Sequence, residues 1–153
     1  MEIRAVDVLT MAATIYGEAR GTTQIDREDV AQVIINRWRD GPGWMKSQKN
    51  DGILDLTIEA VCRDPWQFSC WNMNDPNYPK VTRMLKTPMK SLENPAFRNC
   101  LEAALRMLNG NGNNRVGKSL HYHSKSMEFP SAWGTPVEPK RDNGHHIFYE
   151  GVK

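Results

Sequence analysis

The run Ile3-Arg4-Ala5-Val6-Asp7-Val8-Leu9-Thr10-Met11-Ala12-Ala13-Thr14-Ile15-Tyr16, followed by Gly17-Glu18-Ala19-Arg20-Gly21, sets the reading of the whole chain. Ile3, Val6, Leu9, Ala13 and Tyr16 recur at helical spacing, and Val8, Met11, Ala12 and Ile15 widen the stripe. This predicts a largely apolar helix from about Ile3 to Tyr16. It delivers Glu18 to the helix end, between two glycines that let the backbone leave. The negative pole of the helix dipole and apolar surroundings both oppose ionisation of a carboxyl placed there. A glutamate kept protonated near neutral pH can act as a general acid. The residues alone leave a second reading open, in which Glu18 is solvated and paired with Arg20.

Around this helix the chain reads as one domain, residues 1–153, with a sizeable core. Hydrophobic residues at 39% and charged residues at 25% match a folded globular chain rather than a disordered one. A net charge of +2 is too small to point to nucleic acid. No apolar run is long enough to span a bilayer, and no leader pattern opens the sequence. The expectation is a chain without membrane insertion or a signal peptide, cytoplasmic until released, and a monomer. Cys62, Cys70 and Cys100 do not make a disulfide framework. Cys62 and Cys70 are the local candidates for a bridge, with reduced thiols as the default.

A second helix is expected from Asp26 as N-cap, with Glu28 and Asp29 in its first turn and Val30, Val33, Ile34 and Trp38 on its buried face. Gly41-Pro42-Gly43 stops it, and 44–56 reads as an irregular loop. Thr57 caps a short helix through Val61. Asn94-Pro95 opens the clearest helix, to Asn109, with Phe97, Leu101, Ala104, Leu105 and Leu108 as its stripe and Gly110 as its stop. Val6, Leu9, Ile34, Leu101 and Leu105 are expected to share one core. The last third changes period. Ser119 to Ser124 alternates, with His121 and His123 on one side and Leu120 and Tyr122 on the other, and His146 to Tyr149 reads as its partner strand. The fold class is α+β, mainly helical, with three principal helices and a small antiparallel sheet.

Between these elements, Trp66, Phe68 and Trp71 interleave with Gln67, Ser69 and Asn72. Flat rings beside amides and hydroxyls suit a sugar-binding cleft, although Phe68 or Trp71 taken singly fits a core position better.

Tyr16-Gly17-Glu18-Ala19-Arg20-Gly21, Gln67-Phe68-Ser69-Cys70-Trp71, His121-Tyr122-His123 and Gly144-His145-His146-Ile147-Phe148-Tyr149 together resemble the spore-cortex-lytic (SleB-type) cell-wall hydrolases. Val33-Ile34-Ile35-Asn36-Arg37 resembles the end of that family's second helix. The order and approximate spacing match from about Leu9 to Tyr149. The resemblance implies a lysozyme-like cleft that cuts the peptidoglycan glycan strand between N-acetylmuramic acid and N-acetylglucosamine, as a muramidase or lytic transglycosylase. Glu18 would be acid and then base, closing an anhydro ring through the muramic C6 hydroxyl. Gln67, Phe68, Ser69, Trp71, His121, Tyr122, His123, Trp133, His146 and Tyr149 would hold substrate, with peptidoglycan as partner and no metal or cofactor. Family members often carry a second glutamate where this chain has Thr22, which weakens schemes needing two carboxylates. A bare catalytic domain suits a phage or prophage endolysin.

Two further readings stand beside it. His-x-His on a strand, with His145 and His146, can serve a zinc amidase or peptidase acting on the same polymer, though no His-Glu-x-x-His spacing accompanies it. A non-catalytic glycan-binding or virion structural protein also fits the aromatic–amide mixture.

Overall fold

The computed structural model describes residues 2–45 and 52–152. Helix α1 (Ala5–Ala19) is the axis of the molecule. Met11, Ala12, Ala13 and Ile15 are wholly buried along it. Helices α2 (Gln24–Asp40), α3 (Ile58–Arg63), α4 (Tyr78–Lys86) and α6 (Pro95–Leu108) all pack on α1, and the short α5 (Pro88–Ser91) leads from α4 to α6. One apolar cluster runs through the helices and includes Val33, Ile34, Phe68, Phe97 and Phe148.

The helix ends follow their capping chemistry. Thr57 accepts from the Ala60 amide at the start of α3, and Asn94 accepts from the Ala96 amide with Pro95 in the first turn of α6. The sheet has strand order β1-β3-β2: β1 (His121–Ser124), β2 (Arg141–Asp142) and β3 (His146–Tyr149) are antiparallel. Tyr122 lies opposite Phe148 and Ser124 opposite His146. The mainly helical α+β class is as expected, and β2 is an addition to it.

Several local expectations are corrected. Gly17 and Glu18 lie inside α1, which continues to Ala19. Gly17 is there for space: a Cβ would sit 2.5 Å from Cys70 Cβ and 2.7 Å from its Sγ. The N-cap of α2 is Thr23, whose side chain accepts from the Asp26 amide, so Asp26 is free for another task. Leu105 is 41% exposed, and Val6, Leu9 and Leu101 are only partly covered, so the shared core is carried by Ile34 and its neighbours. Helix α4 is an addition to the expected elements, and its Pro79 occupies the first turn, where the missing N–H costs nothing. Cys62, Cys70 and Cys100 are buried free thiols, and burial pushes Cys62 and Cys100 up to about 12. Of the loop expected over 44–56, Trp44 is the last residue of a 3₁₀ turn (Pro42–Trp44) and 46–51 lie outside the described residues.

The Gly17 contact yields a stability prediction. Gly17→Ala gains helix propensity of up to ~1 kcal/mol but forces overlap with Cys70, a kind of overpacking that costs ~1–3 kcal/mol. A net loss of stability is expected in urea unfolding. Because the closest approach is to Cβ, Cys70→Ala is not expected to relieve it, whereas Cys70→Gly is.

Candidate active site

Glu18 stands in the last turn of α1, where the apolar helix meets the sheet. Its carboxylate accepts a hydrogen bond from the Tyr122 hydroxyl at 2.7 Å and has no other hydrogen-bond partner among the described residues. Arg20 turns away, its guanidinium 4.8 Å from the Tyr16 ring centroid and bonded to Asn77, so the solvated Glu18–Arg20 pair does not form. Burial raises the Glu18 carboxyl above its ordinary range. The Tyr122 hydrogen bond and the nearby charges of His146 and Arg37 pull it down, without cancelling burial.

The cleft in front of Glu18 has a volume of about 580 Å³. Gln67 and Ser69, both exposed, line it from the segment before Trp71, and their side chains make no hydrogen bond within the protein among the described residues. His121, Tyr122 and His123 line it from β1, with Trp133 beside them on a 3₁₀ turn and His145 and His146 from the start of β3. His121 is held between Trp44 and Trp133, ring centroids 5.3 and 5.0 Å away. Burial, and then the charge of Arg37, lowers its pKa to about 4, so at neutral pH it is an uncharged hydrogen-bonding ring.

Three of the expected substrate contacts lie elsewhere. Phe68 is 1% exposed and forms core beneath the Arg37 guanidinium, 5.0 Å from its ring centroid. Trp71 donates through its indole N–H to Thr14 and lies under Arg63, lining a separate groove with Trp66. Tyr149 is buried behind His123 and bonded to it. Phe68 thus belongs to the core, Trp71 to a separate groove, and Tyr149 to the layer behind His123.

Other cleft residues were not picked out from sequence. Arg37 is buried, donates through Nε to the Leu120 carbonyl, and is stacked on Trp44 at 4.5 Å. Thr22 lines the cleft and donates its hydroxyl to Asp26 at 2.7 Å. Asp26, fully buried, also accepts from Asn143 at 2.7 Å and from His146 Nδ1 at 2.8 Å. Burial pushes the Asp26 carboxyl upward, but these three bonds and the His146 charge hold it below its ordinary range. The signal for Asp26 was an acidic residue one turn past Thr23, which local sequence explains equally well as helix-start chemistry.

The histidine hydrogen bonds bear on the metal-dependent reading. The Ser124 carbonyl can only accept, so His123 Nδ1 donates to it at 2.7 Å, and Nε2 takes the Tyr149 hydroxyl at 2.7 Å. Both nitrogens of the second histidine in His-x-His are therefore committed. Among the described residues no group of three or more His, Cys, Asp or Glu converges to hold a metal ion.

A family model described as cell wall hydrolase matches residues 21–149. The chain belongs to the cell wall hydrolase family. Membership makes peptidoglycan the substrate and hydrolysis of the wall the activity. Glu18 lies just ahead of the matched span, so its candidacy rests on the geometry above. No curated protein and no solved structure matches the chain. Among the described residues, no helix is long and apolar enough to cross a membrane.

The raised Glu18 carboxyl has a sign that can be checked. Its folded pKa exceeds the unfolded one, so its contribution is fully present below the unfolded pKa and is lost as pH rises through the folded pKa. Glu18→Gln, which cannot ionise, should be more stable than the parent at neutral pH, and the difference should vanish once pH falls below the ordinary glutamate range. Chemical unfolding at both ends of that window measures it. Tyr122→Phe should move the Glu18 titration further upward in carbon-detected NMR, because it removes the hydrogen bond that favours the carboxylate.

Proposed function

We propose that this cell wall hydrolase cuts the glycan strand of peptidoglycan between N-acetylmuramic acid and N-acetylglucosamine, with Glu18 as general acid. The observation that carries this reading is the Glu18 carboxyl itself. It faces the cleft, is raised by burial, and has one oxygen bonded to Tyr122 and the other without a partner among the described residues. A protonated carboxyl with one committed oxygen can present its proton on the other, toward a glycosidic oxygen in the cleft.

The surroundings suit a sugar. Gln67, Ser69 and neutral His121 offer donors and acceptors for hydroxyl and acetamido groups, and Trp133 offers a ring edge or face. Protonation of the leaving oxygen breaks the bond to the muramic C1. The developing positive charge on that sugar is then met by the Glu18 carboxylate left behind. An attacking hydroxyl completes the reaction. Water gives a reducing muramic end, and the sugar's own C6 hydroxyl gives an anhydro end.

Digestion of purified peptidoglycan followed by mass spectrometry tests the reading. Soluble muropeptides ending in muramic acid, reducing or anhydro, are expected, and free stem peptides would instead mean an amidase. General acid catalysis contributes ~100- to 10,000-fold, so Glu18→Gln should lose at least that order of lytic rate while remaining folded. Binding of that variant to insoluble wall should persist, and lysis by the parent should survive EDTA.

A further inference from the structure

Attack on the muramic carbon needs a group to take the proton of the incoming hydroxyl. No second carboxylate lines the cleft among the described residues. What lines it instead is His146, whose ring is fixed by a buried partner. Asp26 is 0% and His146 8% exposed, and both Asp26 oxygens lie within 3.0 Å of His146 Nδ1. A carboxylate can only accept, so Nδ1 carries the hydrogen, and in the form of the ring that can act as a base the lone pair lies on Nε2. Nε2 has no hydrogen-bond partner among the described residues, and the side chain lines the same cleft as Glu18. Tyr122 links the two groups: its hydroxyl bonds Glu18, and its ring meets the His146 ring edge-on at 5.1 Å.

The environment of Asp26 is built for this. Thr22 and Asn143 donate to the carboxylate from either side of the imidazole, and Asn143 also accepts the His146 backbone amide at 2.9 Å. Backbone and ring of His146 are thereby both fixed. Orientation of an imidazole by a buried aspartate is the arrangement that sets tautomer and direction in a general base.

We propose that His146, oriented by Asp26, is the catalytic base that deprotonates the hydroxyl attacking the muramic C1. This rests on the glycosidase reading, with Glu18 kept as the acid. As Glu18 delivers its proton to the glycosidic oxygen, the C1–O bond breaks and its electron pair leaves with that oxygen. The C6 hydroxyl oxygen bonds C1, and its proton passes to His146 Nε2. Asp26 stabilises the imidazolium, and return of that proton to the Glu18 carboxylate, directly or through solvent, restores both groups. No water is consumed.

The test compares Glu18→Gln, His146→Gln, His146→Ala and Asp26→Asn in the full chain on two substrates. One is purified peptidoglycan. The other is a muramic-terminated glycan oligomer carrying 4-nitrophenol at its reducing end, whose leaving group departs without protonation. His146→Gln keeps an N–H for Asp26 and cannot act as a base, which guards against loss of fold, checked by circular dichroism. Asp26→Asn keeps the ring but not the carboxylate that fixes its tautomer. The expected result is that His146→Gln loses ~100-fold or more in kcat on both substrates, with KM nearly unchanged. Asp26→Asn should fall in the same direction, and added imidazole should restore part of the His146→Ala rate. Glu18→Gln should be impaired on peptidoglycan and largely recovered on the nitrophenyl substrate. Parent-like kcat in His146→Gln overturns the proposal, as does a His146 defect that disappears on the nitrophenyl substrate or activity lost to EDTA and restored by zinc. Active Glu18→Gln on peptidoglycan fails the glycosidase reading instead, so the two failures are distinguishable.

Discussion

The polar face of α2 is the constraint on which the cleft depends. One side of this helix is ordinary core, with Val30, Val33 and Ile34 fully buried. The other side is also buried but is polar, and it holds the C-terminal third of the chain. Asp29 is 1% exposed, pairs with Arg141 at 2.8 Å and accepts from Asn143 at 3.0 Å. Asn36 donates to the Gly117 and Ser119 carbonyls, and Arg37 to that of Leu120. Asp26 takes His146 and Asn143. Charge-assisted bonds of this kind contribute ~1.5–3 kcal/mol each, and breaking one side of a buried pair costs ~3–5 kcal/mol. Three short strands, two of four residues and one of two, would make a weak sheet alone. Docked along α2, they become the wall facing Glu18.

This double burial also accounts for what sequence could and could not supply. The apolar stripes of α1 and α6, the Thr57 and Asn94 caps and the β1–β3 pairing were legible because each follows from local period or local capping chemistry. The buried acids of α2 were not. Glu28 and Asp29 resemble helix-start residues favoured by the dipole, yet they serve Arg106, Arg115 and Arg141 from distant parts of the chain. No local pattern separates an acid facing water from one awaiting an arginine over a hundred positions away. The same limit governs the site. Glu18 stood out through its neighbours in the chain, whereas Asp26 becomes meaningful only once β3 is laid against α2. Aromatic placement failed for a related reason. Phe68 and Trp71 sit among cleft residues in the sequence, but Phe68 is core and Trp71 lines a separate groove while Gln67 and Ser69 face the cleft, and Tyr149 packs behind His123.

Glu18 shows how two opposing influences set the strength of an acid. Burial alone would make its proton hard to release, and a carboxyl that never ionises is useless as a donor. Tyr122, His146 and Arg37 each stabilise the carboxylate, the form present after the proton has left. The raised resting state and the stabilised product state thus come from different features of one environment. Burial is set by α1 and its packing, and pairing by β1, β3 and α2.

Arg37 sharpens this division. Its guanidinium is buried, and burial lowers its pKa against the pull of Tyr122 and Glu18. The Nη1 group has no hydrogen-bond partner among the described residues, and the rings of Trp44 and Phe68 pack against the cation at 4.5 and 5.0 Å. A buried cation is costly by itself. Here the cost is partly offset by ring contact, worth ~2 kcal/mol when desolvated, and the offset grows when Glu18 becomes negative. A fixed cation close to a carboxyl favours its charged state without being consumed. Under the proposed role of Glu18 as the acid, it would stabilise the reacting complex more than the resting one, which is the condition for an electrostatic contribution to rate.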